Sequence, residues 1–394
     1  MRTAKRLELI PPYLFAELGR KIRAKRAEGV DVISLGIGDP DAPTPDEVID
    51  EAVRALRDPN DPDRHRYGGD IQVAEYPLAV ADYYQKRYGV QLDPDKEVLT
   101  TIGSKDGIAH VPWAFIDPGD VALVPQPGYP VYNIGTLFAG GESYFLPLRA
   151  DHGWLPDLKA IPESIAKRAK ILWLNYPNNP TAATATLDFF NEAVEFARKY
   201  DILVCHDAPY SEIAYDGYRA PSILQADGAM DVAIEFNSLS KHFNMTGWRI
   251  GMAVGNEKAV QALGLIKENA DSGVLRAIQF AGAKALRDLP DFGAEISQKI
   301  YKPRMEMVIG SLNKLGWNLT MPQATFYIWA PVPDGFEGNS GKFADFLLDT
   351  AGVVVTPGRG YGEAAEGYFR VSITYPNHRL QEAIERIEKA LRGR

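Results

Sequence analysis

Seven short apolar runs between residues 97 and 256, set among helix-length patterns, constrain this chain more than any other feature. They are EVLTTIG (97–103), DVALVPQ (120–126), ESYFLPL (142–148), KILWLNYP (170–177), DILVCHD (201–207), VAIEFNS (232–238) and IGMAVGN (250–256). Several are unbroken rather than alternating, which is the pattern of strands buried on both faces of a parallel sheet. Stretches such as LDFFNEAVEFARKY (187–200) have helical spacing and supply covers for the two faces. The expected fold class is α/β, with a large domain built on a mostly parallel, seven-stranded sheet covered by helices on both faces.

Beyond about residue 290 the texture changes. A long helical stretch at 293–316 leads into the strand-like runs NLTMPQATFYIWAPVP, GVVVTPG and YFRVSITY, and a closing helix begins near 378. These read as a smaller α+β domain. At 394 residues the chain exceeds what one core spans, so two domains are expected: 48–288 as the large one, and 1–47 with 289–394 as the small one with an N-terminal arm.

Composition excludes several function classes. A formal charge of −9 argues against a nucleic-acid-binding surface, and no run approaches the roughly 20 apolar residues of a membrane span. Eight Lys and Arg residues among the first 26, against Glu8 and Glu17, read as the solvated basic face of a helix rather than a membrane-surface arm. The N-terminus lacks the pattern of a signal peptide, so the expected location is the cytoplasm. The single cysteine, Cys205, lies inside an apolar run and offers neither a disulfide nor a Cys-based metal site. His110, His206 and His242 have no metal-ligand spacing, and no metal is expected.

In an open parallel sheet, ligands gather beyond the carboxyl ends of the strands. The residues that follow each run therefore carry the functional signal. LWLNYPNNPT ends in Asn175, Asn178 and Asn179; LVCHDAPYSE ends in Asp207 with Tyr210 beyond it; FNSLSK ends in Ser238, Ser240 and Lys241, with Arg249 eight positions on. A solvated lysine has a pKa near 10.4, and holding it neutral at pH 7 costs roughly 4 to 5 kcal/mol. An enclosed strand-end lysine therefore implies a compensating partner.

An aldehyde-bearing pyridine with a phosphate would use the whole set. Lys241 would form an imine with the aldehyde, and Asp207 would pair with the ring nitrogen and keep it protonated, which makes the ring an electron sink. Tyr210 and Asn179 would bond the ring oxygen, while Ser238 and Arg249 would hold the phosphate. Gly103, Ser104 and Lys105 follow a strand and open a helix, so backbone N–H groups there face the same phosphate. Tyr129, after the next strand, is able to stack on the ring. The cofactor these residues point to is pyridoxal 5′-phosphate.

The stretches NYPNNPT, HDAPYSE, SLSKHFNMTGWRIG and GYFRVSIT, in that order and spacing, resemble the fold-type I pyridoxal-phosphate aminotransferases of class I/II. The resemblance runs from about residue 10 to the C-terminus. It implies that Arg370 binds the substrate α-carboxylate, aided by Asn179 and the backbone at Gly38. Lys241 would shuttle the proton between the amino acid's Cα and the cofactor, in ping-pong half-reactions between an amino acid and a 2-oxo acid. Tyr67 looks like the family's tyrosine that reaches the neighbouring subunit's phosphate, which implies a homodimer with composite sites.

Within the family, IPPYLFAEL, VISLGIGDPDAPTP, GSKDGIAH and FNMTGWRIG are most similar to the LL-diaminopimelate aminotransferase group. That resemblance implies exchange of an LL-diaminopimelate amino group with 2-oxoglutarate, in lysine biosynthesis, with Asp70 directed at the partner's substrate. Gln72, Pro77, Ala182 and His242 stand where relatives usually show Gly, Arg, Gly and a small hydroxyl residue, and Arg276 is added in a region contributed to the neighbouring site. Another donor, such as aspartate or alanine, or β-elimination of the C–S lyase kind, therefore stands as the alternative. A cofactor-dead regulator on the same scaffold is the reading from another class, and the complete contact set speaks against it.

Overall fold

The computed structural model describes residues 1–11, 14–66 and 72–393, apart from the side chains of Leu14 and Phe15. After a short N-terminal strand, β1 (Ile33–Ser34), the seven apolar runs form β2 (Val98–Thr101), β3 (Val121–Gln126), β4 (Glu142–Pro147), β5 (Ala169–Leu174), β6 (Leu203–Asp207), β7 (Ala233–Ser238) and β8 (Gly251–Gly255). They make one sheet in the order β2-β8-β7-β6-β5-β3-β4. Strands β3 to β7 pair in parallel, whereas β8 runs antiparallel to both β7 and β2.

Alternate residues of the central strands feed two separate cores. Leu172, Leu174 and Val204 pack on one side with Phe189, Phe190 and Val194 of the helix Leu187–Tyr200. Ile171, Trp173, Cys205 and Phe236 pack on the other with Ile108 and Val111 of the helix Ser104–Phe115 and Val260 and Leu263 of the helix Glu257–Ala270. Each such buried side chain is worth about 1.5 to 3 kcal/mol, and a one-residue slip would exchange the two faces. The sheet is thus pinned in register, and with it the residues at the strand ends.

One buried carboxylate interrupts the apolar run of β7. Glu235 accepts from Tyr84 Oη at 2.7 Å, from Ser222 Oγ at 2.9 Å and from the Ile223 N–H at 3.0 Å. It also faces His206 Nδ1 at 2.9 Å, and His206 Nε2 lies 3.0 Å from the Tyr176 carbonyl. Burial alone would raise the pKa of Glu235, yet these partners outweigh it and the net shift is downward.

The small lobe is a three-stranded antiparallel sheet, β11-β12-β9, built from β9 (Tyr327–Pro331), β11 (Thr356–Pro357) and β12 (Tyr368–Ser372). The strand β10 (Val353–Val354) pairs in parallel with β1, and Ile33 and Leu35 share a core with Leu347, Val353 and Phe369. The helix expected over 293–316 is interrupted: a π-helical turn, Ser297–Tyr301, separates Phe292–Ile296 from Lys302–Lys314. Pro303 follows at once and has no N–H to return to the preceding turn, so the local hydrogen-bond ladder re-registers there.

The basic face of the N-terminal helix, Leu14–Ala27, lies at the surface, and two of its lysines form solvent-accessible ion pairs there. Lys21 pairs with Asp345 at 2.5 Å and Lys25 with Asp349 at 2.9 Å, both on the helix Ser340–Ala351. Among the described residues no helix is long and apolar enough to cross a membrane.

Candidate active site

Asp207 closes β6, and its surroundings are unusual for a carboxylate. Its Oδ2 accepts from Tyr132 Oη at 2.7 Å, and its backbone carbonyl accepts from Asn175 Nδ2 at 2.6 Å. Its Oδ1 is buried and has no partner among the described residues. Burial raises its pKa to about 6, against the Tyr132 bond and the charge of His206, which lower it. A buried acceptor left open beside a cleft is costly unless something donates to it. A protonated pyridine nitrogen is such a donor, so the residue present fits the ring of pyridoxal phosphate.

Lys241 sits in the four-residue helix Leu239–His242, whose first turn is capped by Ser238 Oγ accepting from the Ser240 N–H at 3.2 Å. Its Nζ donates to the Gly38 carbonyl at 2.8 Å. Enclosure lowers its pKa from 10.5 to about 8; Asp39 opposes that shift, and the cations Arg249 and Arg370 reinforce it. Gly38 permits the approach because a Cβ there would lie 2.0 Å from Tyr327 Oη.

Arg370, on β12, is 1% exposed. It donates from Nη1 to Asn179 Oδ1 at 2.5 Å and from Nη2 to the Gly36 carbonyl at 2.7 Å, and its guanidinium lies 4.0 Å from the centre of the Tyr327 ring. No carboxylate pairs with it among the described residues, and its Nε has no partner there. Tyr327 in turn shares a 3.0 Å hydroxyl contact with Tyr210, whose phenol is pushed well up by burial. The result is a fixed guanidinium fork available to an incoming carboxylate.

Opposite lies a set of anion-binding groups. Ser104 opens the helix Ser104–Phe115 directly after Gly103, whose φ is +74°. Arg249 donates to the Ile102 carbonyl at 3.1 Å and to the Thr246 carbonyl at 2.8 Å, and its Nη1 reaches Ser240 Oγ at 3.4 Å. Burial and Arg249 together lower the pKa of Lys105. Two cations, a helix N-terminus and hydroxyls are the donors a phosphate would need, so the residues present fit the phosphate of the same cofactor.

Gly38, Ser104, Lys105, Tyr129, Asn179, Asp207, Tyr210, Ser238, Lys241, Arg249 and Arg370 all line one cleft of ≈ 400 Å³. Tyr67 and Asp70 lie outside the described residues. Tyr132 and Tyr327 were missed by sequence reasoning, since their partners are 75 and 117 residues away in the chain and no local pattern announces such pairs.

The positions that depart from the family pattern have local explanations. Gln72 accepts from the Thr100 N–H at 2.8 Å and from its hydroxyl at 2.9 Å, and Pro77 sits in the first turn of the helix Glu75–Tyr88. Ala182 has φ +59°, a conformation that costs a residue with a Cβ about 1 to 2 kcal/mol and explains why glycine is usual there. His242 is buried, bonds the Pro290 carbonyl through Nε2 at 3.1 Å and stacks on Phe243. Arg276 reaches Asp61 of its own chain at 3.4 Å.

Comparison with known proteins agrees with this geometry. The profile of the family described as "Aminotransferase class I and II" matches residues 30–387. A protein of Moorella thermoacetica named LL-diaminopimelate aminotransferase is 56% identical over 391 residues, covering 99% of both chains. One of the same name from Desulforudis audaxviator is 56% identical over 388 residues, covering 98% of this chain and 97% of its own. Among solved structures, substrate-bound BacF of Bacillus subtilis superposes with a TM-score of 0.93 at 36% identity, covering 99% of this chain and 98% of its own.

Proposed function

The chain belongs to the class I and II aminotransferases, pyridoxal-phosphate enzymes that pass an amino group between an amino acid and an oxo acid, and from that premise we propose that its donor is LL-diaminopimelate and its acceptor 2-oxoglutarate. The relatives' shared name supports this donor over aspartate, alanine or a β-elimination substrate. The observation that carries the chemistry is the convergence on one cleft of an amine of lowered pKa, an acceptor oxygen and a guanidinium, the last two having, respectively, no hydrogen-bond donor and no carboxylate among the described residues.

Pyridoxal phosphate, when bound, supplies an aldehyde for amino groups and a ring that draws electrons from the substrate's Cα. The remaining roles are proposals for the chain's own side chains. Asp207 holds a proton on the ring nitrogen, and Tyr132 fixes the carboxylate's orientation. Tyr210 and Asn179 bond the ring oxygen, Tyr129 stacks on the ring, and Ser104, Lys105, Ser238 and Arg249 hold the phosphate. Arg370 binds the substrate α-carboxylate, with Asn179 beside it. Lys241 receives the substrate's Cα proton and returns it: with a pKa of about 8, roughly a tenth of it is neutral at pH 7, far more than for a solvated lysine.

The proposal extends to a cytoplasmic enzyme of lysine biosynthesis, to a homodimer in which Tyr67 and Asp70 complete the neighbour's site, and to a division into domains at 47/48 and 288/289. The homodimer rests on the family resemblance. Donors are tested with 2-oxoglutarate as acceptor and glutamate formation as readout. LL-diaminopimelate should give the highest kcat/KM; preference for aspartate or alanine would overturn the donor, and pyruvate release without acceptor would favour elimination. Light scattering on the eluted protein should return twice the 43.5 kDa chain mass.

A further inference from the structure

Behind the phosphate cradle, outside the cleft, lies a charged cluster that none of the roles above uses. Lys267, on the helix Glu257–Ala270, has no exposed surface, and its ammonium donates to Asp106 and, at 2.8 Å, to Asp271. Asp106 also accepts from the Ile102 N–H at 2.8 Å and contacts His110 Nδ1 at 2.8 Å. Burial pushes the pKa of Asp106 up, yet these partners outweigh it and bring it to about 2. Asp271 caps the start of the next loop by accepting from the Gly273 N–H at 2.7 Å.

The two peptide units that flank Ile102 are therefore each held by a side chain. Asp106 takes the Ile102 N–H, and Arg249 donates to the Ile102 carbonyl at 3.1 Å. The next residues are Gly103 and Ser104, which open the helix Ser104–Phe115 and to which the proposal above assigns phosphate donors. We propose that Lys267 is a positioning residue for this turn: by neutralising Asp106 it keeps that carboxylate on the Ile102 N–H and so sets the donors that grip the phosphate, and through Asp271 it ties the same turn to the 271–275 loop. Asp106, His110 and Asp271 have the spacing of a metal site, but the ammonium of Lys267 already bridges the two carboxylates.

The inference rests on the assignment of residues 103–105 as the phosphate cradle, and the two can fail separately. Apoprotein is titrated with pyridoxal 5′-phosphate and with pyridoxal, following the quench of tryptophan fluorescence. Wild-type protein should bind the phosphorylated form far more tightly; equal affinities would sink the cradle assignment itself. In Lys267→Met two partly buried carboxylates lose their shared cation, so affinity for pyridoxal phosphate should fall about tenfold or more while affinity for pyridoxal stays within about twofold. Lys267→Arg should recover most of the loss. If Lys267→Met does not fold, Asp271→Asn serves in its place, with a smaller loss in the same direction. Equal weakening of both ligands, or an unchanged ratio with a lowered melting temperature, would reduce Lys267 to a structural ion pair and overturn the proposal.

Discussion

Lys241 Nζ donates to the Gly38 carbonyl across 2.8 Å, which ties the amine that follows β7 to a glycine brought in by the N-terminal segment. The contact leaves the amine enclosed and near two cations, and its pKa falls to about 8. In the cofactor-free protein, the rate at which Lys241 is modified by an amine reagent such as trinitrobenzenesulfonate should therefore rise with a midpoint near pH 8. Arg370→Met removes a repelling cation and should raise the midpoint; Asp39→Asn removes an attracting anion and should lower it. A wild-type midpoint at 10 or above would contradict the enclosure.

Asp207 predicts a pH dependence of the cofactor-free protein's stability. Its carboxyl takes up a proton near pH 3.8 when unfolded and near 6 when folded, so between those values the native chain binds more protons than the unfolded one. The stability this group contributes is fully present below pH 3.8 and is lost as pH rises through 6, at most about 3 kcal/mol. Asp207→Asn abolishes that dependence. Urea denaturation at pH 4 and at pH 7 should show the variant gaining relative to wild type by about 1 to 3 kcal/mol at the higher pH; parallel profiles would contradict the shift.

What the sequence made legible follows from how local each signal is. The central strands were readable because a strand buried on both faces leaves a nearly unbroken apolar run, while the edge strand β4 is largely exposed and showed only as a short run between turns; the rule that ligands lie beyond strand ends then pointed to Asn179, Asp207 and Lys241. The small lobe's strands were visible instead as short runs rich in β-branched and aromatic residues. Contacts that join distant segments were not legible: Tyr132 to Asp207, Tyr327 to Tyr210, Lys267 to Asp106, and Lys21 to Asp345. Glu235 inside β7 was hidden too, because its partners come from three other segments. The turn at Ser297–Tyr301 depended on one proline whose effect is to shift a ladder rather than end a helix.

Arg370→Lys should act on substrate binding more than on turnover. Lysine lacks the planar fork, so it cannot satisfy Asn179 Oδ1 and the Gly36 carbonyl while presenting parallel donors to a carboxylate. Loss of such charge-assisted bonds is worth about 2 to 3 kcal/mol, so KM for both amino donor and oxo-acid acceptor should rise about 30- to 150-fold. Steady-state kinetics with each substrate varied in turn provides the check. Unchanged KM values for both would remove Arg370 from the carboxylate site.

Gly103 and Gly89 together separate backbone strain from disruption of the cradle. Both have positive φ, but Gly89 is left-handed helical (φ +70°, ψ +13°), where alanine costs about 1 to 2 kcal/mol, whereas Gly103 (φ +74°, ψ +161°) lies in a region essentially reserved for glycine, where alanine costs about 1 to 3 kcal/mol. Their surroundings differ. A Cβ at Gly103 would lie 2.2 Å from Arg249 Nη2, whereas one at Gly89 meets nothing within 4 Å. Gly89→Ala should therefore lower the melting temperature alone, while Gly103→Ala should lower it at least as far and also push Arg249 off the Ile102 carbonyl, which weakens binding of pyridoxal phosphate about tenfold or more. Melting temperatures of the two cofactor-free variants and their cofactor dissociation constants decide the matter. If Gly103→Ala bound the cofactor as Gly89→Ala does, Arg249 would have no part in gripping it.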